Sequence, residues 1–341
     1  MKRAMITGIT GQDGAYLSKL LLEKGYEVWG AFRRTSDLHL NRLKYLGVHE
    51  KIQYLPLELL EFTNLYRSIE KIQPDEIYNL GAQSFVGLSF EEPIFTVDVT
   101  GLGPLRILEA IRSINPRIKF YQASSSEMFG KVQAVPQDET TPFYPRSPYA
   151  IAKLSAHWIT VNYRESYGLY ACSGILFNHE SPLRGLEFVT RKITHGLARM
   201  QRGLQESIVL GNLNAQRDWG YAPEFVEAIW LMLQHSEPED YVVATGETHT
   251  IREFVEVAFK AVGIDIGWKG FEENEKGVDR KSGKVLVQVS PEFFRPAEVD
   301  MLVGNPKKAI EKLGWSPKTK FRDLVCIMVE ADLKRLGNSQ E

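Results

Sequence analysis

Four groups able to do chemistry together fall within thirty residues of this chain. Ser125 and Glu127 stand in Ser124-Ser125-Ser126-Glu127, and Tyr149 and Lys153 bound Tyr149-Ala150-Ile151-Ala152-Lys153, which starts twenty-two residues after Glu127. A hydroxyl, a carboxylate, a phenol and an ammonium can oxidise an alcohol and then take a proton from the neighbouring carbon. Tyr149 and Lys153 are four apart, so on a helix both point from one face. A phenol ionises ordinarily near pH 10, and making it a base near neutrality costs roughly 4 kcal/mol. An ammonium about 4 Å away, at an effective dielectric of ~20, supplies about that amount. Lys153 is therefore expected to depress the ionisation of Tyr149 and to hold the ribose hydroxyls of a nicotinamide cofactor, whose oxidised ring would add to the effect. A bare Y-x-x-x-K pair is common, so its weight comes from the elements around it.

Those elements read as βαβ units. Short apolar runs at 4–7, 27–32, 52–55, 76–79, 119–123 and 170–176 are expected strands, and segments 15–24, 38–46, 63–72, 100–113 and 148–167 carry helical spacing. Six strands alternating with helices predict an α/β fold, a Rossmann-type doubly wound parallel sheet. Gly8-Ile9-Thr10-Gly11-Gln12-Asp13-Gly14 follows the first strand and opens the first helix, where glycines let the backbone approach a pyrophosphate. The second strand runs out in Phe32-Arg33-Arg34 with no acid for a ribose diol, and two arginines suit a 2′-phosphate. NADP is expected, with Arg33 as its contact. Leu80-Gly81-Ala82-Gln83-Ser84 leaves the fourth strand at the carboxyl edge, where ligands lie in open parallel sheets.

Beyond residue 177 the pattern loosens, with helices expected at 188–202, 223–235 and 251–261, and a surface excursion at 270–284. We expect residues 1–177, with returning segments near 210–245, to form the NADP-binding unit. Residues near 178–209 and 246–335 would form a smaller C-terminal α/β lobe for substrate. With 41 basic and 43 acidic residues there is no general attraction for nucleic acid or an anionic membrane. No apolar run resembles a secretory signal or a membrane span, which predicts a cytoplasmic protein. Cys172 and Cys326 lie far apart without metal-ligand spacing, so both are expected to be buried hydrophobes, with no disulfide and no metal site.

Longer blocks carry a resemblance. Ala123 to Gly130, Phe143-Tyr144-Pro145-Arg146-Ser147-Pro148-Tyr149, Gly174 to Pro182, Arg217-Asp218-Trp219-Gly220 and Phe294-Arg295-Pro296-Ala297-Glu298-Val299 resemble the GDP-mannose 4,6-dehydratase family of extended short-chain dehydrogenase/reductases, over nearly the whole chain. The resemblance implies a lyase using GDP-mannose and NADP. Ser125 and Tyr149 would take the C4 hydroxyl proton, Lys153 would assist, and Glu127 would take the C5 proton and help expel the C6 hydroxyl. It implies cofactor contacts at Glu58, Leu59, Phe95, His179 and Arg184, and substrate contacts at Ser84, Asn178, Lys192, Arg217, Arg295 and Glu298. It also implies a homodimer or homotetramer, formed by helices 100–113 and 148–167 and by the loop 33–42.

The sequence departs from the family pattern at several points: Ser125 stands for a usual threonine, Ala150 for a glycine, Leu57-Glu58-Leu59 for Gly-Asp-Leu, and Phe85 and Tyr221 for histidines. A 4-epimerase or 4-keto-6-deoxy reductase of the same family is the alternative activity. Glu127 disfavours the epimerase, which needs no C5 base. A dinucleotide sensor without catalysis would have little use for Tyr149, Lys153 and Glu127 together.

Overall fold

In the computed structural model the described residues are 1–36, 38–293, 299 and 301–337. Seven parallel strands build the main sheet: β1 (Arg3–Thr7), β2 (Glu27–Phe32), β3 (Gln53–Pro56), β4 (Glu76–Asn79), β5 (Lys119–Ser125), β6 (Ala171–Leu176) and β7 (Tyr241–Val243), in the order β7-β6-β5-β4-β1-β2-β3. All residues of β4 and β6 are buried, as strands covered on both faces must be. The order reverses between β1 and β4, which pair in parallel through Thr7↔Asn79. That reversal opens a crevice at the carboxyl edge of the sheet.

The longer helices flank the sheet: α1 (Gln12–Glu23), α2 (Phe62–Ile72), α3 (Gly103–Ile114), α4 (Pro148–Tyr167), α5 (Val189–Gln201), α6 (Ala222–Gln234), α7 (Ile251–Ala261) and α8 (Phe321–Gly337). Leu17 and Leu21 of α1 join Ile229 and Met232 of α6 against one face. Leu65, Ile69, Ile107, Ile111 and Tyr163, from α2, α3 and α4, fill the other. A third cluster lies outside the sheet, where Ile193 and Leu197 of α5, Phe254 and Phe259 of α7 and Leu324 and Met328 of α8 pack together.

Helix α4 matters most to the site. Ser147 accepts the Ala150 N–H as its cap, Pro148 occupies the first turn, and Gly168 closes it at φ 65°. Twenty residues between firm ends hold Tyr149 and Lys153 on one rigid face.

Five expectations change. The six expected strands are joined by β7, three apolar residues that arrive after α6 and pair with β6 through Val242↔Ile175. The segment 270–284 is no plain excursion. Lys276–Asp279 forms a strand between Ile266–Lys269 and Val285–Val289, and Ile208–Leu210 completes a four-stranded sheet. Its Lys- and Gly-rich composition reflects an exposed hairpin, with Asp279 accepting from Lys281 N and Ser282 N in the turn. The helix expected at 38–46 is confined to Asn41–Tyr45, and that at 100–113 begins as the π-helical turn Val97–Leu102 before α3. Cys172 is buried but Cys326 only partly so.

Candidate active site

A cleft of about 300 Å³ opens at the carboxyl edge beside β1, β4 and β5. Its floor is the glycine turn. Gly8 has φ 70°, and a Cβ there would stand 2.9 Å from Gly81 N and from Leu80 C. One on Gly14 would stand 2.5 Å from the Gly8 carbonyl oxygen. Only glycine lets these segments touch, and the contact brings the free N–H groups at the start of α1 to the cleft. Such a cradle fits the pyrophosphate of a dinucleotide.

Buried polar groups beneath the floor tie the strand ends together. Thr7 Oγ1 donates to Asn79 Oδ1 at 2.6 Å and accepts from Gly81 N at 3.0 Å. Asn79 Nδ2 donates to Gln122 Oε1 at 2.8 Å, and Gln122 Nε2 to the Ala123 carbonyl at 3.0 Å. Lys153 Nζ reaches the same carbonyl at 2.7 Å. One hydrogen-bonded line thus runs from the glycine turn to the lysine.

The opposite wall comes from the segment after β6, where Asn178–Glu180 pairs with Trp219–Tyr221. His179 Nε2 lies 2.9 Å from Asp13 Oδ2, and its Nδ1 lies 2.7 Å from the Phe177 carbonyl. Burial works to raise the Asp13 carboxyl, but the charge and hydrogen bond of His179 outweigh it and pull Asp13 down to about 2. Burial likewise works to lower His179, and Asp13 reverses it, so the imidazole is raised above its ordinary value. The pair cancels a carboxylate that would otherwise repel an anion at the start of α1.

The catalytic candidates converge in the cleft. Ser125, Glu127, Tyr149 and Lys153 all line it, along with Ser84, Asn178, His179 and Arg184. Ser125 Oγ accepts the Glu127 N–H at 3.2 Å and hydrogen-bonds the Tyr149 phenol. The expected depression of Tyr149 does not occur in the protein alone. Burial pushes its phenol up to about 12, which the Ser125 bond reduces only in part. Lys153 is spent on Ala123 and sits 5.8 Å from the Tyr149 ring centre. Burial, partly offset by Asp13, lowers its ammonium to about 8.

Other expected residues fall elsewhere. Gly8, Gly11, Gln12, Asp13, Gly14, Leu80 and Ala82 line the cleft, while Ile9, Thr10, Gly81 and Gln83 belong to the turns behind the lining. Gln83 N donates to Thr100 Oγ1 at 3.1 Å. Glu58 and Leu59 lie outside it, Glu58 held by Asn64 and Leu59 buried against α3, and Phe95 packs on the core beneath. Arg33 is exposed, because the chain turns outward where β2 ends. Arg42 lines the cleft instead, its Nε on the Leu183 carbonyl at 2.7 Å and NH1 on Thr10 O at 3.1 Å. Lys192 stands 3.3 Å over the Phe293 ring, and Arg217 donates to the Val299 carbonyl at 2.7 Å. Arg295 and Glu298 lie outside the described residues. Among the described residues no three His, Cys, Asp or Glu gather as metal ligands, and no helix is long and apolar enough to cross a membrane.

The chain is similar to known proteins. The family model for GDP-mannose 4,6 dehydratase matches residues 5–328. The GDP-mannose 4,6-dehydratase of Yersinia enterocolitica is 52% identical, covering 98% of this chain and 95% of its own length. That of Homo sapiens is 53% identical over 97% and 91%. Among solved structures, Thermus thermophilus UDP-glucose 4-epimerase in complex with NAD superposes with a TM-score of 0.79 at 26% identity, covering 97% of this chain and 98% of that one. The dTDP-glucose 4,6-dehydratase of Bacillus anthracis, also with NAD, gives 0.82 at 21%, over 99% and 98%. With a family model matching nearly end to end and relatives more than half identical, this enzyme belongs to the GDP-mannose 4,6-dehydratase family.

Proposed function

We propose that the enzyme dehydrates GDP-mannose to GDP-4-keto-6-deoxymannose with NADP as its resident cofactor. The observation that carries this is the convergence of Ser125, Glu127, Tyr149 and Lys153 on the cleft floored by the glycine turn. Gly8, Gly11 and the start of α1 would hold the pyrophosphate, and Leu80, Ala82 and Lys153 the nicotinamide half. The absence of an acid at the end of β2, with Arg33, Arg34 and Arg42 following it, supports NADP over NAD. When bound, the dinucleotide supplies a two-electron store that holds a hydride between the oxidation of C4 and the reduction of C6.

Tyr149, ordered by Ser125, takes the C4 hydroxyl proton as C4 becomes a ketone. The ketone acidifies C5, and Glu127 removes that proton and passes it to the C6 hydroxyl, which leaves as water. C6 is then reduced, and the proton held by Tyr149 balances the one that C5 regains. Glu127 is 9% exposed, so its carboxylate works at the edge of a nearly dry space. Asn178 and Ser84 would meet the nucleotide sugar, with Lys192, Arg217, Arg295 and Glu298 as further contacts, while His179 and Arg184 would face the cofactor.

GDP-mannose incubated with the enzyme and catalytic NADP should give a new methyl doublet by proton NMR, with no net change in nicotinamide absorbance. Stoichiometric NADPH consumption, or binding without a methyl signal, would overturn the assignment.

A further inference from the structure

The helix face that presents Tyr149 and Lys153 continues one turn further, to His157, at the same four-residue spacing. His157 is 5% exposed, and its Nδ1 lies 3.2 Å from Ser124 Oγ. Ser124 is itself buried, lines the cleft, and directly precedes Ser125 at the end of β5. Two successive residues of β5 are therefore fastened to two successive turns of α4: the Ala123 carbonyl by Lys153 and the Ser124 hydroxyl by His157. None of the chemistry above uses the second fastening.

The far side of the His157 ring lines a separate cavity of about 660 Å³, which it shares with Glu139, Phe143, Trp158, Arg164, Glu239, Asp240 and Lys308. Phe143 meets the ring edge-on at 5.4 Å and Trp158 at 5.7 Å. The charged neighbours are matched among themselves, with Arg164 bidentate on Asp240 at 3.0 and 2.7 Å and Lys308 on Glu239 at 3.0 Å. The Glu139 carboxylate accepts the Val242 N–H at 2.7 Å. This side thus offers room to solvate an Nε2–H, while Nδ1 faces a hydroxyl donor. That arrangement assigns the neutral tautomer with its proton on Nε2.

We propose that His157 is a positioning residue of the reaction. Neutral, it accepts the Ser124 O–H and holds the Ser125-to-Glu127 end of β5 in register with the helix face that carries Tyr149 and Lys153. Protonated, it can only donate, so the Ser124 hydroxyl must swing its own proton away to accept, the bond reverses beside a buried cation, and the base, the phenol and its serine lose alignment. Burial, with Asp240 opposing and Arg164 assisting, lowers the His157 imidazole below its ordinary value. The neutral form therefore prevails at pH 7 and is lost only on acidification. Alignment acts on the chemical step more than on binding, so the effect belongs in kcat.

The inference rests on the proposed reaction, and kcat and KM for GDP-mannose measured from about pH 4 to about pH 8, a window reaching well below the ordinary histidine value, test it. The parent enzyme should show an acid limb in kcat that KM lacks. His157→Phe keeps a ring but no acceptor; its kcat should fall about five- to tenfold, the worth of one buried hydrogen bond, with KM within about twofold and the limb gone. His157→Asn, whose amide can occupy the place of Nδ1 without titrating, should restore most of kcat and still lack the limb. Ser124→Ala should match His157→Phe, and the double variant should be no worse than either. A His157→Phe enzyme with parental kcat, a limb that persists in His157→Asn, or a loss confined to KM would overturn the inference. If His157→Phe does not fold, Ser124→Ala, which deletes one oxygen, decides by the same criteria. A parent enzyme that makes no methyl product sinks the proposed reaction, whereas a productive parent matched by its variants sinks the role of His157 alone.

Discussion

Tyr149 is held protonated by its own burial, and the lysine four residues on is occupied with a carbonyl. Its ionisation must therefore follow the arrival of positive charge in the cleft, which an oxidised nicotinamide ring would bring. The phenolate absorbance assigned to Tyr149, as a difference from Tyr149→Phe, should appear well below pH 12 only when oxidised cofactor is bound. Tyr149→Phe should also lower kcat by about 10²–10⁴ with binding retained. Glu127→Gln should stop exchange of the C5 proton with solvent while hydride transfer from C4 stays measurable; loss of both together would deny Glu127 a separate step. The Asp13–His179 pair has its own pH signature. Asp13, at about 2 when folded against 3.8 unfolded, contributes stability above 3.8 that is lost as pH falls towards 2. His179, raised above 6.5, contributes stability below 6.5 that is lost as pH rises through its folded value. The stability difference between the parent and His179→Gln, from urea unfolding, should thus be greatest between about pH 4 and 6.5, at about 2 kcal/mol. Ser125, Glu127, Tyr149 and Lys153 were legible because their spacing within one strand end and one helix turn is local. Asp13 and His179 lie 166 residues apart, and no local pattern joins them.

At the scale of elements, the loop that carries Arg184 is fixed by the helix that follows it and, through that helix, by one remote in sequence. Arg191 of α5 donates NH1 to the Pro182 and Arg184 carbonyls, each at 2.7 Å, and is itself held by Asp332 of α8 at 2.8 and 3.1 Å. Thr194 and Arg335 also donate to that carboxylate, which is fully buried. Asp332→Ala would leave the Arg191 guanidinium buried and unpaired, at a cost of about 3–5 kcal/mol. A drop in Tm of roughly 4–7 °C is expected, with weaker binding of NADP. Weaker cofactor binding is also the part that a purely structural clamp would not give. Gly14→Ala sets helix propensity against sterics. Alanine gains about 1 kcal/mol in a helix, but its Cβ would stand 2.5 Å from backbone, so loss of cofactor affinity and of stability is expected by titration and thermal unfolding. Helix positions came readily from the sequence because periodicity over a dozen residues is a strong signal, and α7 matches its expected bounds. β7 is three residues long and is defined only by its pairing with β6 far back in the chain, while Lys276–Asp279 is a short hairpin strand whose Lys- and Gly-rich surroundings carry no apolar run. Arg42 could have been noticed only as a cation on a short helix after β2, since its partner carbonyls come from distant turns.

For the whole molecule, the face of α4 turned from the sheet carries Ile151 and Trp158, two helical turns apart and each more than half exposed. Val97 and Leu102 of the π-helical turn packed beside α4, and Ile94 just before it, are exposed as well. Apolar groups grouped on neighbouring elements suit association with a second copy. Light scattering should give two or four times the chain mass, and Trp158→Glu should shift it towards one. β7 carries a different consequence, one of timing. A ribosome releases β1 to β6 long before residues 241–243, so β6, a strand with every residue buried in the finished protein, stays for that interval the raw margin of the nascent sheet. A truncated chain ending at residue 177 should consequently self-associate through that margin, and the tail of the synthesis, far from any reacting atom, acts as the guardian of the catalytic half.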